Sequence, residues 1–88
     1  MSGLDSRFEA AVAASRSLDE RPDDDSLLQL YALFKQATQG DVHGDKPGFF
    51  DFVGTAKYEA WERLSGMSSE EASRQYADLI LALGGKLD

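Results

Sequence analysis

Apolar residues in this chain recur at steps of three and four in four successive segments, and each segment is closed by a proline or a glycine. That spacing is the 3.6-residue period of an amphipathic helix, and no segment shows the two-residue alternation of a half-buried strand. The pattern predicts an all-α fold, a four-helix bundle, because four striped helices must bury their stripes against one another. At 88 residues the chain makes one domain spanning 1–88. Folding at this size buries only about 60–65% of the surface that the unfolded chain exposes, so one modest core is all that fits.

Leu4, Phe8, Ala11, Val12, Ser15 and Leu18 define the first helix, with a narrow face partly built of small residues. Arg16 falls near its end, where a cation complements the helix dipole, and that role alone accounts for it. Asp19-Glu20-Arg21-Pro22 interrupts the pattern, since the residue before a proline avoids the helical region. Asp23, Asp24 and Asp25 then read as a helix start, one capping free amides and the others meeting the positive end of the dipole. The second helix is expected from about Asp24 to Gln39, with Gly40 as a left-handed stop. Gly40 to Phe50 is a long turn-rich connection containing Gly44, Pro47 and Gly48. It leaves the second and third helices free not to be simple antiparallel neighbours.

Val53, Ala56, Ala60 and Leu64 place a third helix over about Phe52 to Ser65, with Lys57 and Trp61 along an adjoining edge and Gly66 at its end. Ser68-x-x-Glu71 is a capping box, and Met67 and Ala72 stand where a hydrophobic staple would. Ala72, Tyr76, Leu79, Ile80 and Leu83 stripe the fourth helix. Gly84-Gly85 is expected to loosen its end, leaving Lys86 to Asp88 as a tail.

Function concentrates in the second helix. Leu27, Leu30, Tyr31 and Phe34 share one face, Lys35 borders it, and Tyr31 and Lys35 are four residues apart. A phenol and an ammonium on a hydrophobic strip suit a ligand with an oily part and an anionic part. The same stripe is also what a core-facing helix looks like, with its lysine snorkelling to water.

Several classes fall away. Nine Lys and Arg against sixteen Asp and Glu give a net charge of −7, which repels a phosphate backbone and opposes docking on anionic lipid. No nucleic-acid partner is expected. A small anion is still permitted, because lysines gathered on one face act within a Debye length of about 8 Å. The absence of cysteine excludes disulfides, thiolate metal sites and a cysteine nucleophile, and fits a reducing cytoplasmic setting. No apolar run approaches the roughly 20 residues that span a bilayer, and the first residues lack the regions of a signal peptide. Asp41, Asp45 and Asp51 do not make a calcium loop, since Lys46 and Phe52 stand where glycine and glutamate are required. His43, the only histidine, has no partner for a metal or for nucleophilic catalysis and reads as a solvated loop residue. Neither a metal site nor an enzyme is expected.

Tyr31-Ala-Leu-Phe-Lys-Gln-Ala-Thr-Gln-Gly-Asp41, Lys46-Pro-Gly48, Gly54-Thr-Ala-Lys-Tyr-Glu-Ala-Trp61 and Gly66-Met-Ser-Ser-Glu-Glu-Ala72, with Tyr76 beyond, resemble the acyl-CoA-binding protein family in order and in ungapped spacing. The resemblance covers almost the whole chain. It implies an up-down-down-up bundle that binds long-chain fatty acyl-CoA non-covalently and buffers or carries it inside the cell, without a cofactor, as a monomer in transient contact with acyl-CoA-using enzymes.

Matched position by position, the resemblance implies that Tyr31, Lys35 and Lys57 hold the ribose 3′-phosphate. Phe34 stands where the family usually has a tyrosine stacked near the adenine, which keeps the ring and loses the hydroxyl. Arg16 takes a family lysine position beside the nucleotide, Val12 replaces a common alanine at the adenine end, and Tyr76 matches a ligand-contacting tyrosine. The acyl chain would fold against Leu27, Leu28 and the neighbouring helices. Val53 and Thr55 replace frequent lysines, and Tyr58 a frequent tryptophan. The alternative is a helical protein-interaction module using the Tyr31 and Phe34 face as a groove for a partner's amphipathic helix.

Overall fold

A computed structural model describes the backbone of residues 3–87 and the side chains of 6–87. Leu4, expected to open the first stripe, lies outside the described side chains, and residues 1, 2 and 88 of the expected domain lie outside altogether. The described chain forms four α-helices, α1 (Gly3–Ala14), α2 (Asp24–Gln39), α3 (Phe52–Glu62) and α4 (Ser69–Ala82), with no strand among them.

The helix ends follow local chemistry. At the start of α2 the Asp23 carboxylate accepts the Ser26 N–H at 2.8 Å. At the end, Gly40 has φ 78° and ψ −152°, outside the left-handed helical region expected for it and in one that only glycine enters readily. The α-helical part of the first segment stops at Ala14, and Ser15–Ser17 tighten into a 3-10 turn. Ser15 Oγ donates to Val12 O at 2.6 Å, a local bond of the kind that competes with the helical ladder. α3 ends at Glu62, three residues earlier than expected, because Leu64 and Ser65 donate to Trp61 O and Glu62 O in tighter turns. Its cap is Asp51, whose Oδ1 accepts the Gly54 N–H at 2.8 Å.

Half of the expected capping box forms. Ser68 Oγ accepts the Glu71 N–H at 3.0 Å, whereas the Glu71 carboxylate turns along the helix to Arg74 and Gln75. The C-terminal glycines do not loosen α4. Gly85 N–H reaches Ile80 O and Gly84 N–H reaches Leu81 O, with φ +94° at Gly84, which is a Schellman cap. Leu87 beyond it packs on the core rather than trailing as a tail.

Cross-helix pairs give the topology. Arg7 binds Asp78 at 2.7 Å, and further along both segments Leu18 lies beside Gly85, so α1 and α4 run parallel. Lys57 sits over Tyr31 and Lys35 over Trp61, so α2 and α3 are also parallel. Phe34 meets Tyr76 while Gln36, later in α2, reaches Met67, before α4; those helices are antiparallel. The bundle is therefore up-down-down-up. α4 packs on both α1 and α2, and α3 packs on the other side of α2.

Two clusters make the core. Ala11, Ala14, Leu30, Leu33, Ala72, Tyr76, Ala77 and Ile80 are buried where α1, α2 and α4 meet. Ala32, Ala60 and Trp61 join α2 to α3, and Leu64 packs against both clusters. Buried alanines, whose small side chains let helices pack closely, make up much of both clusters, and each fully buried large apolar side chain such as Ile80 contributes about 1.5–3 kcal/mol.

Candidate functional site

Two adjoining grooves open on the face of α2 that looks toward α3 and the 3-10 turn. The first, of about 460 Å³, is lined by Ser15, Leu18, Pro22, Leu27, Leu30, Tyr31, Phe34, Lys57 and Tyr76. The second, of about 420 Å³, is lined by Arg21, Asp24, Leu27, Leu28, Phe52, Val53, Ala56 and Lys57. Leu27 and Lys57 belong to both walls. One groove is thus aromatic with a cation at its side, and it continues into one that is mostly apolar.

Helical register explains the arrangement. Tyr31 and Lys35 are four apart on α2, and Lys57 and Trp61 are four apart on α3. Parallel packing in this register sets the Lys57 Nζ 5.2 Å from the Tyr31 ring centroid and the Lys35 Nζ 4.8 Å from that of Trp61. Each helix lends a ring to the other's cation. The expected neighbours Tyr31 and Lys35 do share a face, but Lys35 leans on Trp61. Trp61 is held in turn by Nε1–H donating to Gly40 O at 2.8 Å.

Of the other expected site residues, Phe34 and Tyr76 come together. With Phe8 they form a three-ring cluster, Phe8 stacking on Phe34 at 6.0 Å and meeting Tyr76 edge-on at 5.3 Å. Leu28 lines the second groove but not the first, and it also borders a separate cavity with Ala32, Ala60 and Leu64. Val12 is half-buried against the main core, and Arg16 is exposed in the 3-10 turn next to Ser15; neither is part of the groove wall. His43, read as solvated, is exposed and packs its ring edge-on to Trp61 at 5.2 Å.

Sequence reasoning missed the clamp that sets this end of α2. Gln36 is fully buried, and its Nε2 donates to Asp41 Oδ1 and to Met67 O, both at 2.8 Å. Asp41 Oδ1 also accepts the Gly66 N–H at 2.8 Å. One glutamine and one aspartate thereby tie the end of α2 to the α3–α4 turn. A polar residue one position after Lys35 on the buried side of α2 was the available signal. The long connection is fastened to α3 as well, by Lys46 on Glu59 at 2.8 Å and by the Tyr58 hydroxyl donating to Gly44 O at 3.2 Å.

The bond from the Gly66 amide, with that from Gln36, holds the Asp41 carboxyl below its ordinary value of 3.8. A carboxyl whose value is lower when folded stabilises fully above the ordinary value, and that contribution is lost as pH falls through the depressed one. Asp41→Asn is therefore expected to be less stable than the parent at neutral pH, with the gap closing below about pH 4. Urea unfolding at stepped pH checks this; a gap that stays constant into acid would mean that the carboxylate charge is not what matters.

Among the described residues no group of His, Asp and Glu could hold a metal ion, and no helix is long and apolar enough to cross a membrane. The fold is a small helical bundle, and a groove with aromatic and apolar walls and a cation at its side has the chemistry to take an amphiphile. The chain belongs to the acyl-CoA-binding protein family: the family described as Acyl CoA binding protein matches residues 5–80. It is 49% identical over 80 residues to the acyl-CoA-binding protein homolog of Drosophila melanogaster, covering 91% of this chain and 93% of that one. It is 47% identical over 73 residues to the acyl-CoA-binding protein of Saccharomyces cerevisiae, covering 83% of this chain and 84% of that one. The crystal structure of Oryza sativa acyl-CoA-binding protein 2 superimposes with a TM-score of 0.87 at 34% identity, covering 92% of this chain and 90% of that chain.

Proposed function

We propose that this protein binds long-chain fatty acyl-CoA thioesters reversibly and buffers or carries them in the cytoplasm, as a single-domain monomer with no cofactor and no chemistry of its own. The CoA 3′-phosphate is held by Tyr31, Lys35 and Lys57, and Phe34 offers its ring to the adenine with Tyr76 behind it. Arg16, and Val12 one turn before it, stand at the nucleotide end. The acyl chain lies along Leu27 and Leu28 into the apolar groove, and contacts with acyl-CoA-using enzymes are transient.

One observation carries this reading. In a chain of net charge −7, the ion pairs among the described residues engage Arg7, Arg21, Lys46 and Arg74, while Lys35 and Lys57 rest on aromatic rings instead. Of the cations outside these ion pairs, Lys35 and Lys57 are laid over rings, Lys57 in the wall of both grooves and Lys35 one helical turn beyond Tyr31, and a pair so placed suits an anionic head with an oily tail. A saturated chain of about sixteen carbons at about 0.8 kcal/mol per methylene gives roughly 12 kcal/mol gross, before ordering costs are subtracted. The tail supplies affinity. Charge-assisted hydrogen bonds to the head supply recognition and separate the thioester from a free fatty acid.

Calorimetric titration with palmitoyl-CoA below its micelle concentration, beside CoA alone and palmitate alone, tests the reading. One-to-one binding of the thioester, with both fragments much weaker, is the expected result. Equal binding of palmitate and palmitoyl-CoA would make the protein a fatty-acid carrier, and no binding of any of the three would return the groove to a peptide partner.

A further inference from the structure

Of the large hydrophobic side chains exposed among the described residues, four fall within five positions: Phe49 and Phe50 at 83% and 84% exposure, Phe52 at 74% and Val53 at 67%. Phe49 and Phe50 meet edge-on with ring centroids 5.2 Å apart, so they present a joined surface. The one charged residue between them and Val53 is Asp51, and one oxygen of its carboxylate is engaged by the Gly54 amide as the cap of α3. Scattered exposed apolar residues need no explanation, but a contiguous aromatic patch does.

We infer that Phe49, Phe50, Phe52 and Val53 form a docking tip for the surface of an electrically neutral phospholipid bilayer, from which the apolar groove is loaded. The inference rests on the acyl-CoA reading above, and three observations choose this occupant. The tip runs into the groove along the chain, because Phe52 and Val53, which follow Phe50 across Asp51, line it together with Leu27 and Leu28. An acyl chain leaving a bilayer under the tip would pass between apolar surfaces without crossing water.

Charge selects the lipid. A chain of net charge −7 is repelled by anionic headgroups and tolerated by zwitterionic ones. Size argues against a protein on this patch. Three phenylalanines and a valine at these exposures offer on the order of 600 Å², short of the roughly 800 Å² per partner of a stable protein interface. A bilayer imposes no such minimum and requires no complementary shape. Phenylalanine rings lying at the headgroup boundary give a weak, reversible contact, which a carrier needs if it is to leave again.

The test uses the full chain and its Phe49→Ser/Phe50→Ser variant, since these two rings lie outside the groove walls. The ligand-free protein is expected to co-float with phosphatidylcholine vesicles, and the variant to lose about tenfold or more of that binding. Palmitoyl-CoA affinity in vesicle-free solution should be unchanged within about twofold. Uptake of palmitoyl-CoA from phosphatidylcholine vesicles should slow by about tenfold in the variant and recover in Phe49→Leu/Phe50→Leu. Equal flotation of parent and variant, or flotation only with anionic vesicles, overturns the inference. A dimer seen by sedimentation without lipid and abolished by the serine variant also overturns it, and assigns the patch to a second copy. Loss of palmitoyl-CoA binding by the parent itself would instead refute the acyl-CoA reading.

Discussion

Replacing Lys35 and Lys57 together by alanine is expected to weaken palmitoyl-CoA binding by about two to four orders of magnitude while moving the melting temperature by only a few degrees. A hydrogen bond to a charged group contributes about 1.5–3 kcal/mol, roughly ten- to a hundredfold in affinity for each lysine. Their folded-state partners are rings, Trp61 and Tyr31; a cation over a ring contributes about 0.5–1 kcal/mol at an exposed site and about 2 kcal/mol where the ring is buried, as Trp61 is. Binding should therefore fall further than stability. A thioester of CoA lacking the 3′-phosphate supplies the control, since the double variant and the parent should bind it almost equally. If the variant lost as much affinity for that analogue, the lysines would act elsewhere on the head; if the melting temperature collapsed, they would be structural.

This expectation draws on a part of the molecule that the sequence exposes unevenly. The helices are legible because their stripes are long and their starts carry carboxylates and hydroxyls: Asp23 caps α2 and Ser68 caps α4 as their positions require. Their ends are less so, because terminal turns respond to bonds that pattern does not encode. Ser15 draws on the Val12 carbonyl, the end of α3 retreats into tighter turns, and Gly84-Gly85 closes a cap where flexibility was expected. Glycine serves both uses, and only the partners of the neighbouring amides tell them apart.

The site divides in the same way. Tyr31, Phe34 and Lys35 are visible as a face of one helix, because spacing within a helix is fixed. The pairing of Lys57 with Tyr31 and of Lys35 with Trp61 is not visible from spacing, since it depends on the direction and register in which α3 meets α2. Gln36 escaped for another reason. A buried glutamine looks like a solvated one until its partners, Asp41 and Met67, are brought from 5 and 31 residues away. Phe8 read as core and is indeed half-buried, yet it supplies the ring on which Phe34 stacks.

Trp61 is where fold and site depend on the same atoms, and Trp61→Ala is expected to cost about 3–5 kcal/mol, the range for deleting a buried aromatic ring. The side chain is only 5% exposed and anchors the smaller cluster with Ala32 and Ala60. Its Nε1–H satisfies Gly40 O at the end of α2, its face carries Lys35, and its edge meets His43. Against a stability of about 5–15 kcal/mol for ordinary domains, with small ones near the lower end, such a loss removes a large share of the total. Denaturant unfolding should show a large fall in midpoint. Trp61→Phe separates the contributions: it keeps a ring between the helices but leaves Gly40 O without its donor and removes the indole on which Lys35 rests. It should fold, lose about 1–3 kcal/mol, and bind palmitoyl-CoA several-fold more weakly through a freer Lys35. An unchanged affinity in Trp61→Phe would show that Lys35 reaches the ligand without the indole, and would confine Trp61 to holding α3 in place.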